Sequence, residues 1–142
     1  MTCILVFGHT GQVATELRTL ADVVALGRAE VDLSDPAACA ATINAYRPRA
    51  VINAAAYTAV DRAEEEEALS TTINGEAPTA MAGACASLNI PFVHISTDYV
   101  FAGNGTHAWL PDDMTEPQKA YGRSKLAGEL GISASGCTHA IL

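Results

Sequence analysis

Apolar and polar positions fall in blocks along this chain. Ile4-Leu5-Val6-Phe7 is an unbroken apolar run that stops at Gly8, and a short run bounded by glycine reads as a fully buried strand, here residues 2–7. Over Gln12–Leu20 the period becomes helical, with Val13, Leu17 and Leu20 on one face. Val23–Leu26 is a second strand, ended by Gly27. Ser34-Asp35-Pro36 is a helix start, with a capping side chain ahead of a proline in the first turn. That helix runs to about Tyr46, ahead of Pro48. Ala50–Asn53 is a third strand. Residues 60–73 and 75–88 read as helices, with Pro78 near the start of the second. Residues 90–96 form a fourth strand, 111–117 a polar loop and 118–130 a helix, and Thr138-His139-Ala140-Ile141-Leu142 begins a fifth strand.

Strands and helices alternate with short linkers, which predicts one α/β domain: a doubly wound parallel sheet with helices on both faces. The sequence stops inside its fifth strand, so the expectation is a fragment of a longer chain, residues 1–142 being one domain and a second lobe lying beyond.

Composition changes the picture mainly by exclusion. With 49% apolar and 17% charged residues the chain is globular. A net charge of −8 with no lysine/arginine cluster argues against a nucleic-acid partner. No apolar run reaches the roughly 18 residues of a membrane helix, and no secretory signal precedes the first strand. Cys3, Cys39, Cys85 and Cys137 are widely spaced, the pattern of reduced, mostly buried thiols in a cytoplasmic protein, and no metal site is expected. The acidic run at 64–67 reads as a solvated helix face.

The candidate chemistry lies at strand ends. Gly8-x-x-Gly11-x-x-Ala14 follows a buried strand and opens a helix. The first glycine permits a tight turn, and the second lets backbone approach a pyrophosphate at the helix N-terminus. The third position needs only a small side chain, which Ala14 supplies. This is the phosphate turn of a Rossmann-type domain. The second strand ends in Gly27-Arg28, with Glu30 and Asp32 the first acids. Arg28 is placed to face a 2′-phosphate, which leans toward NADP or toward tolerance of both cofactors, or else is a solvated arginine. Tyr121 and Lys125 are four apart on a helix and so share a face. Tyrosine ordinarily ionises near pH 10. An adjacent ammonium together with an oxidised nicotinamide, lowering this by about two units, contributes roughly 2.7 kcal/mol and makes a proton donor for a carbonyl oxygen. The segments His94-Ile-Ser-Thr-Asp-Tyr-Val-Phe101 and Asn53-Ala-Ala-Ala-Tyr-Thr-Ala-Val-Asp61 sit at the carboxyl ends of strands, where open α/β sheets bind ligands.

The turn, NAAAYTAVD, STDYVF and YGRSKLAGE together resemble the extended short-chain dehydrogenase/reductase family, over essentially the whole chain but only that family's N-terminal part. The resemblance is greatest to its nucleotide-sugar reductases. It implies NADPH or NADH as cofactor and a dTDP-4-keto-6-deoxysugar as substrate, reduced at C4. It implies a catalytic triad of Thr97, Tyr121 and Lys125. Thr97 would bond the C4 carbonyl with Asp98 on the sugar, Tyr121 would donate the proton, and Lys125 would lower its pKa and hold the nicotinamide ribose. Gly8 would shape the turn, and the cofactor would lie on Gly11, Gln12 and Val13. Its adenine side would reach Asp32 and Leu33, and it would pass Ala56, Tyr57 and Thr58. A sister dehydratase carries glutamate where this chain has Tyr99, so the elimination chemistry lacks a group. Epimerases and a non-catalytic cofactor-binding subunit are the other readings. Product stereochemistry is left open, as is oligomeric state, a homodimer included.

Overall fold

The computed structural model describes residues 3–20 and 22–142. Thr2, expected to begin the first strand, lies outside them. In chain order the elements are β1 (Ile4–Phe7), α1 (Gln12–Leu20), β2 (Val23–Leu26), α2 (Pro36–Tyr46), β3 (Ala50–Asn53), α3 (Glu67–Thr71), α4 (Ala77–Leu88), β4 (Phe92–His94), α5 (Ala120–Ala134) and β5 (His139–Ile141). Short 3-10 turns at Arg62–Glu64 and Asp98–Val100, and a π turn at Thr72–Glu76, fill the links.

All five strands pair in parallel in the order β2-β1-β3-β4-β5. Going from β1 to β2 and then back across β1 to β3 reverses the direction of travel. With right-handed crossovers this puts α1 on one face and the later helices on the other. There α2 packs on α4 and α4 on α5. The core lies beneath them: Leu5, Phe7, Val51 and Phe92 point up from the sheet to meet Ile43, Met81 and Ile132, all fully buried. On the opposite face Val6 and Ala14 are buried, while Ile52 and Val93 are only half-buried.

Local signals explain the boundaries. Asp35 caps α2 by accepting the Ala38 N–H at 3.0 Å, with Pro36 in the first turn. Arg47 and Asn89 end α2 and α4 in the left-handed conformation. Three expectations are corrected. The apolar stripe of α1 does not face inward: Val13 and Leu20 are exposed, Leu17 is half-buried, and the small Ala14 is the residue taken to the sheet. The glycine turn brings α1 close enough that only a short side chain fits there. The helix expected over 60–73 breaks into a 3-10 turn, α3 and the π turn. The fourth strand stops at His94, because the Ile95 carbonyl is taken by a side chain of α5.

All four cysteines are free; Cys39, Cys85 and Cys137 are buried and Cys3 is partly so. Burial pushes the Cys39 thiol up to about 11 and the Cys85 thiol up to about 12, which keeps both inert at neutral pH. Among the described residues no helix is long and apolar enough to cross a membrane.

The seat of α5 is its close approach to the π turn. A Cβ on Gly128 would stand 2.3 Å from the Asn74 carbonyl oxygen, whereas one on Gly83 of α4 would meet nothing within 4 Å. Alanine is ordinarily the better helix former by about 1 kcal/mol. Gly83→Ala should therefore raise the urea midpoint, whereas Gly128→Ala should lower it, by about 1–3 kcal/mol in unfolding free energy, through overpacking. Equal effects of the two substitutions would show that α5 does not depend on this approach.

Candidate functional site

The strand order reverses between β1 and β3, and the chain leaves both strands at the same edge of the sheet. Gly8 takes φ +121°, a conformation that side chains rarely adopt, and donates its N–H to the Leu26 carbonyl at 2.8 Å. A Cβ there would lie 3.3 Å from the Ala54 carbonyl group. The turn therefore rests against the end of β3 with no room for a side chain, leaving a cleft of roughly 1080 Å³ above it. Gly8, Gly11, Arg28, Asp32, Leu33, Ala56, Tyr57 and Thr58 all line this cleft. Gln12 and Val13 stand beside it on the exposed first turn of α1. Leu33 contributes to the wall from the core, in which its side chain is packed.

At the end of β2 the acids are nearer than the spacing suggests. Glu30 folds back to accept the Gly27 N–H at 2.8 Å, and Arg28 pairs with Asp32 at 3.0 Å. Arg28 thus has the second of these acids beside it, four residues along the chain. The Ser34 backbone N–H, then the Ser34 side chain and Arg28, hold the Asp32 carboxyl below its ordinary range. With 82% of the Arg28 side chain exposed the pair is a weak tether.

The far wall is fixed by a residue that the sequence reading missed. Asn74, buried in the π turn, accepts the Tyr57 N–H at 2.8 Å and donates to the Tyr57 carbonyl at 3.0 Å and to Ser124 Oγ at 3.0 Å. It falls in the gap between the two helices read from the sequence, in the polar segment Thr72-Ile-Asn-Gly-Glu76, and no pattern there marks it. The acidic run is solvated as expected, with Glu64, Glu65 and Glu67 exposed, and three of its carboxylates also act as braces. Glu64 accepts the Ala120 N–H at 2.9 Å, capping α5 from across the fold. Glu66 accepts the Tyr57 hydroxyl at 2.6 Å and pairs with Arg62, and Glu67 pairs with Arg123 at 2.7 Å. The Tyr57 hydrogen bond holds Glu66 low and in return raises Tyr57.

Beyond β4, Thr97 caps the 3-10 turn by accepting the Tyr99 N–H at 3.2 Å. Tyr121, on the first turn of α5, meets the Tyr99 ring edge-on with centroids 5.6 Å apart. Thr97 and Tyr121 are thus brought together beyond β4, with Lys125 one turn along α5 and Asp98 following Thr97 on the turn; none of the four is among the residues that line the cleft. Their electrostatics differ from expectation. Burial raises Tyr121 above its ordinary value, opposed by the Thr97 hydroxyl. Lys125 does not lower it. Its Nζ donates to the Ile95 carbonyl at 2.5 Å and lies 3.3 Å from His94 Nε2. Only 1% of Lys125 is exposed, and burial lowers its pKa to about 8. His94 is fully buried and pushed down to about 3 by burial and by Lys125, so it is neutral.

Sheet order, glycine turn and strand-end cleft define a doubly wound α/β domain of the Rossmann type. The chain belongs to the family described as the RmlD substrate binding domain, whose model matches residues 1–142. It is 47% identical over 137 residues to a dTDP-4-dehydrorhamnose reductase of Burkholderia thailandensis, covering 94% of this chain and 46% of the relative. It is 42% identical over 146 aligned positions to the Escherichia coli enzyme of that name, covering 97% and 49%. Among solved structures, a dTDP-4-dehydrorhamnose reductase from Clostridium acetobutylicum superposes with a TM-score of 0.92 at 34% identity, over 99% of this chain and 52% of that one. The Bacillus anthracis protein of that name, solved in complex with NADP, gives 0.92 at 28% identity, over 99% and 52%. The chain spans about half the length of these relatives.

The buried lysine gives a pH test. Below pH 8 Lys125 is protonated folded and unfolded, and the cost of burying its charge weighs fully on the fold. Between pH 8 and about 10.4 the unfolded chain holds the extra proton, so this contribution to stability rises with pH, by at most about 1.4 kcal/mol per unit. Urea unfolding of wild type and Lys125→Met across that range should show the difference moving in wild type's favour by up to about 3 kcal/mol. A flat difference would mean that Lys125 titrates as an ordinary surface lysine.

Proposed function

We propose that this chain is the cofactor-binding part of an NAD(P)H-dependent reductase that converts the C4 keto group of dTDP-4-dehydro-6-deoxy-L-mannose to the hydroxyl of dTDP-L-rhamnose. The observation that carries this reading is that Thr97, Tyr121 and Lys125 gather at the carboxyl end of β4, the same edge of the parallel sheet as the cleft built on a side-chain-free turn at Gly8. The likeness to reductases of that name, one of them solved with NADP, supports it.

When bound, the reduced nicotinamide supplies a hydride to C4. The chain's own part is to hold and protonate. Gly8 and Gly11 leave the backbone bare where a pyrophosphate would approach the first turn of α1, with Gln12 and Val13 alongside. Arg28 exchanges Asp32 for the 2′-phosphate, while Asp32 and Leu33 border the adenine side and Ala56, Tyr57 and Thr58 flank the cofactor's length. The Thr97 hydroxyl orients the C4 oxygen, Asp98 contacts the sugar, and the Tyr121 O–H gives its proton to that oxygen as the C–O bond order falls. Lys125 holds the ribose and stabilises the phenolate left behind. Tyr99 stands where a dehydratase needs an acid, so elimination is not supported. The same reading makes the protein cytoplasmic, consistent with four unpaired thiols, without a nucleic-acid partner, and compatible with a homodimer.

The test is NADPH oxidation that depends on a dTDP-4-keto-6-deoxysugar, alongside NADPH binding by equilibrium titration. Binding without turnover in a chain of the relatives' length would favour a non-catalytic cofactor-binding subunit. In an active protein Tyr121→Phe should lower kcat by about 10² to 10⁴ while NADPH affinity is kept; near-normal turnover would remove Tyr121 from the chemistry. Arg28→Ala should weaken NADPH more than NADH, read as the ratio of the two dissociation constants. An unchanged ratio would reduce Arg28 to a surface charge.

A further inference from the structure

Asn53 and His94 are the last residues of β3 and β4 and are direct partners in the parallel register. Both side chains therefore project to the same face, the one covered by α5, and with Lys125 they form a buried polar chain in which no residue is more than 1% exposed. The donors and acceptors along this chain are fixed at one end. The Ala55 N–H lies 3.2 Å from Asn53 Oδ1 and can only donate, so that atom is the carboxamide oxygen and Nδ2 is turned to His94 Nδ1, at 3.1 Å. An amide nitrogen only donates, so Nδ1 accepts and carries no proton. Buried and neutral, the imidazole then bears its one proton on Nε2. That N–H faces Lys125 Nζ at 3.3 Å. An ammonium has three donors and no acceptor, so it cannot receive this bond, whereas an amine can accept from His94 and still donate to the Ile95 carbonyl.

We propose that Asn53 and His94 are positioning residues for Lys125: by holding a His94 Nε2–H against Nζ they favour the lysine amine over its ammonium and poise Lys125 to exchange a proton while no ligand occupies the cleft. Burial acts in the same direction on Lys125. Of the other ionisable groups around it, Glu129, one turn along α5 and accepting from Ser96 Oγ, favours the ammonium; burial keeps Tyr121 on α5 un-ionised at neutral pH, and Asp98 and Tyr99 lie exposed on the following 3-10 turn. The arrangement explains why Lys125 does not lower Tyr121 here: its Nζ is committed to Ile95 and His94. Acceptor oxygens presented by a ligand at Nζ would replace the histidine contact and favour the ammonium. What this does to turnover rests on the reductase reading; the tautomer and the titration do not.

The chain has only two lysines, Lys119 and Lys125, and four histidines, so both can be read directly by NMR. In the cofactor-free wild type, long-range ¹⁵N–¹H correlation should give His94 as the Nε2–H tautomer, and the ¹³Cε signal of Lys125 should titrate near pH 8. His94→Gln puts a carboxamide oxygen, an acceptor for the ammonium, where Nε2 was. It should move the Lys125 midpoint up by about one pH unit or more while Lys119 stays unmoved. A Nδ1–H tautomer in wild type, or a Lys125 midpoint that His94→Gln leaves in place, would overturn the proposal. Should the variant fail to fold, the wild-type tautomer alone decides: Nε2–H supports it and Nδ1–H overturns it. Both outcomes stand whether or not the protein turns over a sugar nucleotide.

Discussion

The structure turns on how closely α5 lies against the π turn between α3 and α4. Gly128 sits so near the Asn74 carbonyl that any side chain there would collide with it, and Gly122 approaches the Tyr99 carbonyl in the same way. Because α5 is held at backbone distance at two points along its length, Tyr121 and Lys125 have little freedom relative to β4. The π turn has a second consequence. It puts the Asn74 side chain in the core, where one carboxamide clamps both polar groups of the Tyr57 backbone and reaches Ser124 on α5. The wall of the cleft and the helix that carries the candidate proton donor are thus tied to the same residue. An extra residue in a helical turn, at a modest cost in hydrogen-bond geometry, is a device often found where side chains must be aimed.

Around that contact the polar groups are satisfied by one another, and among the described residues no buried side-chain nitrogen or oxygen lacks a partner. Glu64 supplies the cap that α5 lacks locally, Glu67 and Arg123 join α3 to α5 at the surface, and Ser70 donates to Ser124 beneath them. The surface pair, screened by solvent, contributes little. The buried bonds matter more, since leaving one partner unmatched would cost about 1–3 kcal/mol. The Asn53–His94–Lys125 chain obeys the same economy of donors and acceptors, and its one mismatch, an N–H facing an ammonium, is the feature that gives Lys125 its altered acidity.

Membership of the RmlD family and the close superposition on solved dTDP-4-dehydrorhamnose reductases account for the overall fold seen here. They do not by themselves account for the state of the side chains. Arg28 is paired with Asp32, Tyr121 is raised and Lys125 is drawn toward His94, each by a neighbour that the fold brings to it.

Much of this was legible in the chain alone. Apolar runs stopped by Gly8, Gly27 and Asn53 placed the strands, Asp35-Pro36 placed the start of α2, and the four-residue spacing of Tyr121 and Lys125 put them on one helical face, because these features depend on neighbours in sequence. The residues left unread were those whose role depends on a partner far along the chain. Glu64 caps a helix 56 residues away, Asn74 clamps a loop 17 residues before it, and Asn53 meets His94 across 41 residues. No local pattern distinguishes such an asparagine or glutamate from a solvated one. The exposed stripe of α1 failed for the same reason: periodicity defined an apolar face, but the close approach at the Gly8 turn decided that Ala14 would meet the sheet. The sequence determined which segments become strands and helices and which side chains share a face. Only the tertiary structure decided which donor faces which acceptor, and with it the protonation of His94 and Lys125, because that is settled by distances between elements that the sequence does not contain.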